Sequence, residues 1–290
     1  MKGKFRKNDN DNILFVTSRC SNNCIMCCQP PSADSNYPSL LAYNNHLIDT
    51  ADPDTEEICI TGGEPTLIGE DLFSYMDKIW SNLPNVTIQI LTNGRKFSDI
   101  SYLSDFIKHI KGKIYFGIPL HSDNYIDHDF ISGANNSFYQ TIEGLHNLGK
   151  LHYDIELRII LLKQNAERLP KISDFIIMNL PFVSQVSFMG LEIIGHAYDN
   201  FDLVAIHPSL LKDNLSKAVY ILEDSGIKPR IFNLPLCLLP EHLWIYSCKS
   251  ISNWKLKYAD QCESCFLKNN CCGLFSTSLI SWNHVVPFHL

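Results

Sequence analysis

Short apolar runs alternate with longer amphipathic stretches from about residue 13 to residue 234. The runs at 13–17, 57–61, 87–92, 114–120, 155–162, 185–191 and 230–234 are rich in Ile, Val, Phe and Leu, as buried parallel strands are, and are read as strands. Stretches at 69–83, 99–110, 138–149, 167–180 and 208–226 are read as helices. Asp99 is placed to cap one of them, and Gly149 and Gly226 to stop two others. Strand–helix alternation predicts βαβ units, a parallel sheet with helices outside it. The expected fold class is α/β, a partial (β/α)6 TIM-like barrel, with a doubly wound sheet as the alternative. The alternation stops near Pro235. Residues 1–234 are therefore expected to form the barrel, and residues 235–290 a small cysteine-rich C-terminal extension.

Composition narrows the function classes. Apolar residues make up 45% and charged residues 19%, a globular balance that excludes a disordered chain. The formal charge of −7 offers no field for phosphates, so no nucleic-acid partner is expected. No apolar stretch approaches the roughly 18 residues of a membrane span, so no membrane partner is expected either. The N-terminal twelve residues, MKGKFRKNDNDN, have no apolar core and do not read as a signal peptide, which points to a cytoplasmic location. Cysteine is the anomaly: there are 11, and most are clustered. Cys20, Cys24, Cys27 and Cys28 form one group, and Cys262, Cys265, Cys271 and Cys272 another. An odd, clustered set without a secretion signal reads as metal binding rather than a disulfide framework.

Cys20-x3-Cys24-x2-Cys27 follows directly on the first strand. Three thiolates from one loop can hold three irons of a [4Fe–4S] cubane and leave the fourth open; a zinc site is the alternative. Active sites of (β/α) barrels are built at this end of the strands, which favours the cluster. Cys28, next to Cys27, reads as a buried free thiol.

The segment Cys20-Ser21-Asn22-Asn23-Cys24-Ile25-Met26-Cys27 resembles the C-x3-C-x-Φ-C signature of the radical S-adenosylmethionine (SAM) enzymes. Thr61-Gly62-Gly63-Glu64-Pro65, at the end of the second strand, is similar to that superfamily's GGEP motif. The resemblance implies that Cys20, Cys24 and Cys27 hold a [4Fe–4S] cluster whose open iron binds SAM. It also implies reductive cleavage of SAM to a 5′-deoxyadenosyl radical, fed by an external electron donor. Gly62 and Gly63 would let backbone approach the ligand, Glu64 would accept from the SAM ammonium, and Pro65 completes the motif. Met26 would lie near the adenine, and Ser122, after the fourth strand, would contact the ribose. Arg158, in the fifth strand where an apolar residue is the default, needs an anionic partner, and the SAM carboxylate is one. Met189-Gly190-Leu191-Glu192 could line the adenine or substrate.

Cys262-x2-Cys265-x5-Cys271 resembles the auxiliary-cluster region of peptide-modifying members, the SPASM and Twitch type. That pattern has a further cysteine where this chain has Phe275, so one auxiliary [4Fe–4S] cluster is expected rather than two. Cys237 is the first choice of fourth ligand, with Cys248 and Cys272 as rivals and a zinc knuckle as the alternative reading. Cys59 reads as a core residue.

Further strings resemble the HxsC-type maturase of His-Xaa-Ser peptide-modification systems. Together with Ile60-Thr61-Gly62-Gly63-Glu64-Pro65-Thr66 and Met189-Gly190-Leu191-Glu192, they are Cys27-Cys28-Gln29-Pro30-Pro31, Leu91-Thr92-Asn93-Gly94-Arg95, Asn179-Leu180-Pro181-Phe182-Val183 and Ser250-Ile251-Ser252-Asn253-Trp254-Lys255. Cys28 departs from the serine-like residue expected there. This resemblance implies a ribosomally made precursor peptide as substrate and companion maturation proteins as partners. A small metabolite or nucleoside substrate, or a non-catalytic iron–sulfur or zinc protein, are the competing readings. No catalytic acid or base is assigned; His121, His128, Asp123 and Asp129 gather after the fourth strand, where capping and solvation account for them.

Overall fold

The computed structural model describes residues 3–5, 12–34, 36–249, 253–280 and 285–289. Strings 250–252, part of the resemblance above, and most of the first eleven residues lie outside that set. The strands are β1 Ile13–Phe15, β2 Glu57–Thr61, β3 Thr87–Leu91, β4 Ile114–Pro119, β5 Asp154–Ile160, β6 Gln185–Met189, β7 Lys228–Phe232 and β8 Ser247–Cys248, with β9 Leu256–Lys257 and β10 Leu274–Phe275 as a separate pair. The helices are α1 Tyr37–Asp49, α2 Glu70–Asn82, α3 Ile100–Ile107, α4 Tyr125–Ser132, α5 Ser137–Lys150, α6 Leu169–Asn179, α7 His196–Asp199, α8 Phe201–Val204 and α9 Lys212–Asp224. Strands β1 to β8 form one sheet in chain order. The β1–β2, β2–β3, β3–β4, β6–β7 and β7–β8 pairs are parallel. This is the sequential α/β sheet that the alternation predicts.

Residues group into two compact units, the first made of Met1–Asn23, Pro30–Pro119 and Ala134–Glu156. In that unit Ile58, Ile60, Ile88, Ile90, Phe116 and Ile118 are fully buried. Phe116 meets Phe97 and α3's Phe106 edge-on or tilted, at 5.3 and 6.1 Å, so this face of the sheet packs on the helix layer. The opposite face is polar: it carries Glu57, Cys59, Gln89 and Tyr115, and the Tyr115 hydroxyl donates to Glu57 Oε1 at 2.9 Å. The strands therefore alternate with period two instead of being apolar on both faces as the runs predict. Asp99 caps α3 through Ser101 and Tyr102, as expected. Gly149 does not stop α5, which runs to Lys150; the left-handed residue beyond it is His152, at φ 59°. Gly144 inside α5 is required by packing, since a Cβ there would lie 2.2 Å from the Gly94 carbonyl oxygen.

The second unit is Cys24–Gln29, Leu120–Gly133 and Leu157–Leu290. Val186, Phe188 and Ile231 are buried completely on one face of β6 and β7. Gly226 ends α9 with φ 83°, as the sequence indicates. Strand β7 begins two residues earlier than predicted. Strand β8 extends the sheet beyond residue 234, pairing Ser247 with Ile231 and Cys248 with Phe232. The C-terminal extension thus supplies a strand of the sheet.

Candidate active site

In the first unit, the loop after β1 carries Cys20 and is built against the loop after β2. Gly63 N–H donates to the Thr17 carbonyl and Glu64 N–H to the Arg19 carbonyl, both at 2.7 Å. A Cβ on Gly62 would meet Thr17 O at 2.5 Å, and one on Gly63 would meet Arg19 O at 2.2 Å. What the two glycines admit is the backbone of the cysteine loop. Asp34 holds the loop's start, accepting from Ser18 N–H at 2.6 Å and from the Thr17 hydroxyl.

Glu64 is 1% exposed, so its carboxylate depends on donors inside the fold. Oε1 accepts from Thr66 N–H (3.0 Å), the Thr66 hydroxyl (2.8 Å) and the Thr92 hydroxyl (2.7 Å). Oε2 accepts from Asn93 N–H at 2.6 Å and retains accepting capacity. Burial pushes its pKa up while these bonds oppose the shift. Pro65 opens the tight turn Pro65–Ile68 that follows. From the loop after β3, Asn93 donates to the Ser21 hydroxyl (2.9 Å), and Arg95 Nη1 donates to the Ser21 carbonyl (2.8 Å) and to Asn22 Oδ1 (2.7 Å). Asn22 N–H in turn donates to Cys20 Sγ at 3.4 Å. Glu64, Asn93 and Arg95 are thus joined to the first cysteine by hydrogen bonds. Nothing in the sequence spacing shows Arg95 doing this.

The other two cysteines belong to the second unit. His196 Nδ1 meets the Cys24 carbonyl at 3.1 Å, His196 N–H donates to the Cys27 carbonyl (2.9 Å), and Asn200 donates to the Ile25 carbonyl (2.8 Å). Helices α7 and α8, absent from the sequence reading, therefore hold this stretch. Met26 is 7% exposed and packs with Ile131, Leu162, Leu191 and Ile193, so its side chain is a core element. Burial, with Glu192 and Cys27 adding to it, pushes the Cys28 thiol up to about 12, which keeps it protonated.

After β4, Ser122 is fully buried. Its hydroxyl donates to Asp123 Oδ1 (3.3 Å) and accepts from Asn124 (3.1 Å). Asp123 is bound in a bidentate pair by Arg168 at 2.7 and 2.6 Å, and so is a structural anion. His128 Nδ1 accepts from His121 N–H at 3.3 Å. His121 differs: it is 2% exposed, and neither ring nitrogen has a hydrogen-bond partner. Burial, and His128 beside it, hold its pKa well below the usual range, so the ring is neutral. Arg158 shows the same deficit, since its Nε is buried without a partner. Its neighbours Leu157 and Ile159 are fully buried on the other face of β5. Leu120 N–H donates to the Arg158 carbonyl at 3.1 Å, which brings the β4 end alongside this residue. Two unsatisfied nitrogen groups, one permanently cationic, suit a ligand carrying a carboxylate and other acceptors, as SAM does. Glu192, after β6, is already committed to Lys255 Nζ (3.1 and 2.9 Å) and the Thr277 hydroxyl.

The extension holds a small pocket, partly open to solvent, lined by Cys237, Cys262, Cys265 and Cys271, with Pro235, Tyr258 and Phe288 among the walls. Leu236 and Gly273 each donate a backbone N–H to Cys271 Sγ at 3.4 Å, and Phe288 does so to Cys265 Sγ at 3.4 Å. Cys272 lies beside Cys271 and against the Leu234 carbonyl (2.6 Å), and the Cys248 thiol turns to the Tyr246 carbonyl (3.6 Å); neither lines the cavity. Hydrogen bonding from Cys272 first, then from backbone N–H groups, draws the Cys271 thiol down to about 6. Among the described residues, no group of three or more His, Cys, Asp or Glu side chains is disposed to hold a metal ion. Among the same residues no helix is long and apolar enough to cross a membrane.

Residues 14–176 match the family profile of the Radical SAM superfamily. A curated GTP 3′,8-cyclase of Desulforamulus reducens is 26% identical over 201 residues, which is 67% of this chain and 59% of that protein. The solved structure of Streptococcus suis SuiB bound to S-adenosylmethionine is 12% identical with a TM-score of 0.59, over 88% of this chain and 54% of SuiB. The structure of anSMEcpe with bound AdoMet is 16% identical with a TM-score of 0.52, over 75% of this chain and 60% of that one. Escherichia coli HemN, a coproporphyrinogen III oxidase, gives 11% and 0.55 over 74% of this chain and 52% of HemN. The chain thus spans between half and three-fifths of the length of these relatives, and the structural likenesses establish the fold.

Proposed function

Because the chain belongs to the Radical SAM superfamily, we propose that it is a peptide-modifying member with an auxiliary [4Fe–4S] cluster in its C-terminal extension, acting on a ribosomally made precursor peptide. Membership implies a [4Fe–4S] cluster and SAM, which together supply one-electron reductive cleavage of SAM and hydrogen abstraction from a substrate. Cys20, Cys24 and Cys27 would hold that cluster. The chain's other residues then have defined tasks. Arg95, Asn93 and Glu64 fix the loop that carries Cys20. Arg158 offers a guanidinium whose buried Nε has no partner to a carboxylate, and neutral His121 offers a donor and an acceptor without bringing a second charge. Met26 anchors the Cys24–Cys27 stretch by packing on Ile131, Leu162, Leu191 and Ile193.

The observation that carries the peptide reading is the ring of Cys237, Cys262, Cys265 and Cys271 around one cavity. Those cysteines belong to the segment that resembles the auxiliary-cluster region of peptide-modifying enzymes. Companion proteins would deliver the peptide, and an external donor the electrons. A second reading, a small-molecule substrate, is favoured by the GTP 3′,8-cyclase relative. The two are separated by supplying anaerobic, reduced protein with SAM and either the precursor peptide or GTP. Peptide-dependent loss of hydrogens in the mass spectrum, above that of a Cys20/Cys24/Cys27→Ala variant, is the expected outcome. A GTP-derived product with an unaltered peptide would replace it with the second reading.

A further inference from the structure

The cavity ringed by the four extension thiols is walled on one side by residues 285–288, which come from the far end of the described chain. Three features hold this stretch in place. Phe266 N–H donates to the Phe288 carbonyl at 3.1 Å. The Phe288 ring stands edge-on to Trp244 (5.2 Å, 69°) and to Phe266 (6.4 Å, 73°). Gln261 donates to the Val285 carbonyl at 3.4 Å. Trp244 is itself fixed by its indole N–H to the Leu236 carbonyl at 3.0 Å. So anchored, the stretch turns polar backbone to the thiols: Phe288 N–H lies 3.4 Å from Cys265 Sγ, and the Val286 backbone bonds Cys237.

We infer that residues 285–288 form a strap over the auxiliary cluster and that the Phe288 N–H is a positioning donor that sets this cluster's reduction potential. The inference rests on the reading of the cavity as a cluster site. Hydrogen bonds to cluster sulfurs favour the more negative, reduced state and so raise the potential. The side chains of the strap add a second effect, since Val285, Pro287 and Phe288 replace water against the thiols. Cys271, which accepts from Leu236 and Gly273, does not depend on the strap.

Proline lacks the N–H, whereas alanine and leucine keep it. In anaerobically reconstituted full-length protein, F288P should move the second cluster's midpoint potential to more negative values and leave the first cluster's unchanged. F288A, which keeps the N–H and only opens the ring's space to water, should not shift to more negative values. A parent-like potential in F288P, or an equal shift in F288A, would overturn the inference. If F288P does not assemble its cluster, protein labelled with ¹⁵N-phenylalanine decides the matter by pulsed electron paramagnetic resonance. The nitrogen coupling at the second cluster should vanish in F288L, and its persistence there would count against Phe288 as the donor. Failure of the underlying reading looks different: Cys262/Cys265→Ala would then leave iron content and spectrum untouched.

Discussion

At the scale of single residues, the informative groups are those whose hydrogen-bonding capacity the fold leaves unused. Asp123 and His128 have partners and serve the loop after β4. His121, two positions before Asp123, has a buried ring and no partner. Its proton equilibrium carries a testable consequence. In the unfolded chain an imidazole takes up a proton near about pH 6.5, and the folded protein holds His121 well below that value. Protons therefore bind the unfolded state more strongly as pH falls, and stability is lost on acidification at up to about 1.4 kcal/mol per pH unit. His128 faces the same ring and remains in either protein. The drop in urea midpoint between pH 7 and pH 5 should be shallower in His121→Gln than in the parent; identical slopes would show that His121 is not held neutral. None of this was legible in the sequence, where the two histidines and two aspartates looked alike. The difference arises from Arg168, which lies 45 residues after Asp123 and claims it.

At the scale of elements, the loops after β1, β2 and β3 act as one joint. The cysteine spacing and the Gly-Gly-Glu-Pro segment were legible because chemistry fixes them locally. Strand β2 was legible in full, since Glu57–Thr61 alternates cleanly. What the glycines accommodate was not legible, because Thr17 and Arg19 lie more than forty residues earlier. Helix α1 was also missed: its start is set by Asn36 and Pro38 rather than by an apolar stripe, and only Asn44 and Ile48 are buried. The joint leaves no room for a side chain at Gly63. Gly63→Ala should destabilise the protein by about 3 kcal/mol or more, as overpacking against unyielding backbone does, and should cut iron in the first cluster. A calorimetric scan and an iron assay check this; a parent-like melting temperature would mean that the two loops can part.

At the scale of the whole molecule, the cysteines divide into two sets that are far apart in sequence. Cys20, Cys24 and Cys27 occupy one loop, and Cys237, Cys262, Cys265 and Cys271 ring a cavity within the second unit. If the proposed reading holds, the two sets load independently. Cys20/Cys24/Cys27→Ala should then abolish SAM cleavage and retain about half of the iron. Complete loss of iron would defeat the two-cluster assignment. Strand β8 lies beyond residue 234, where the periodicity ends; periodicity cannot register a strand of two residues.

That short strand constrains how such a chain could evolve. Ser247 and Cys248 cover the outer side of Ile231 and Phe232, so shedding everything after residue 234 would bare a β edge that invites intermolecular pairing. A lineage that no longer needed the distal thiols could replace them one by one, yet it would have to keep the segment that bears them. Under the proposed reading, loss of the auxiliary cluster should therefore appear among descendants as cysteine substitutions in a chain of undiminished length.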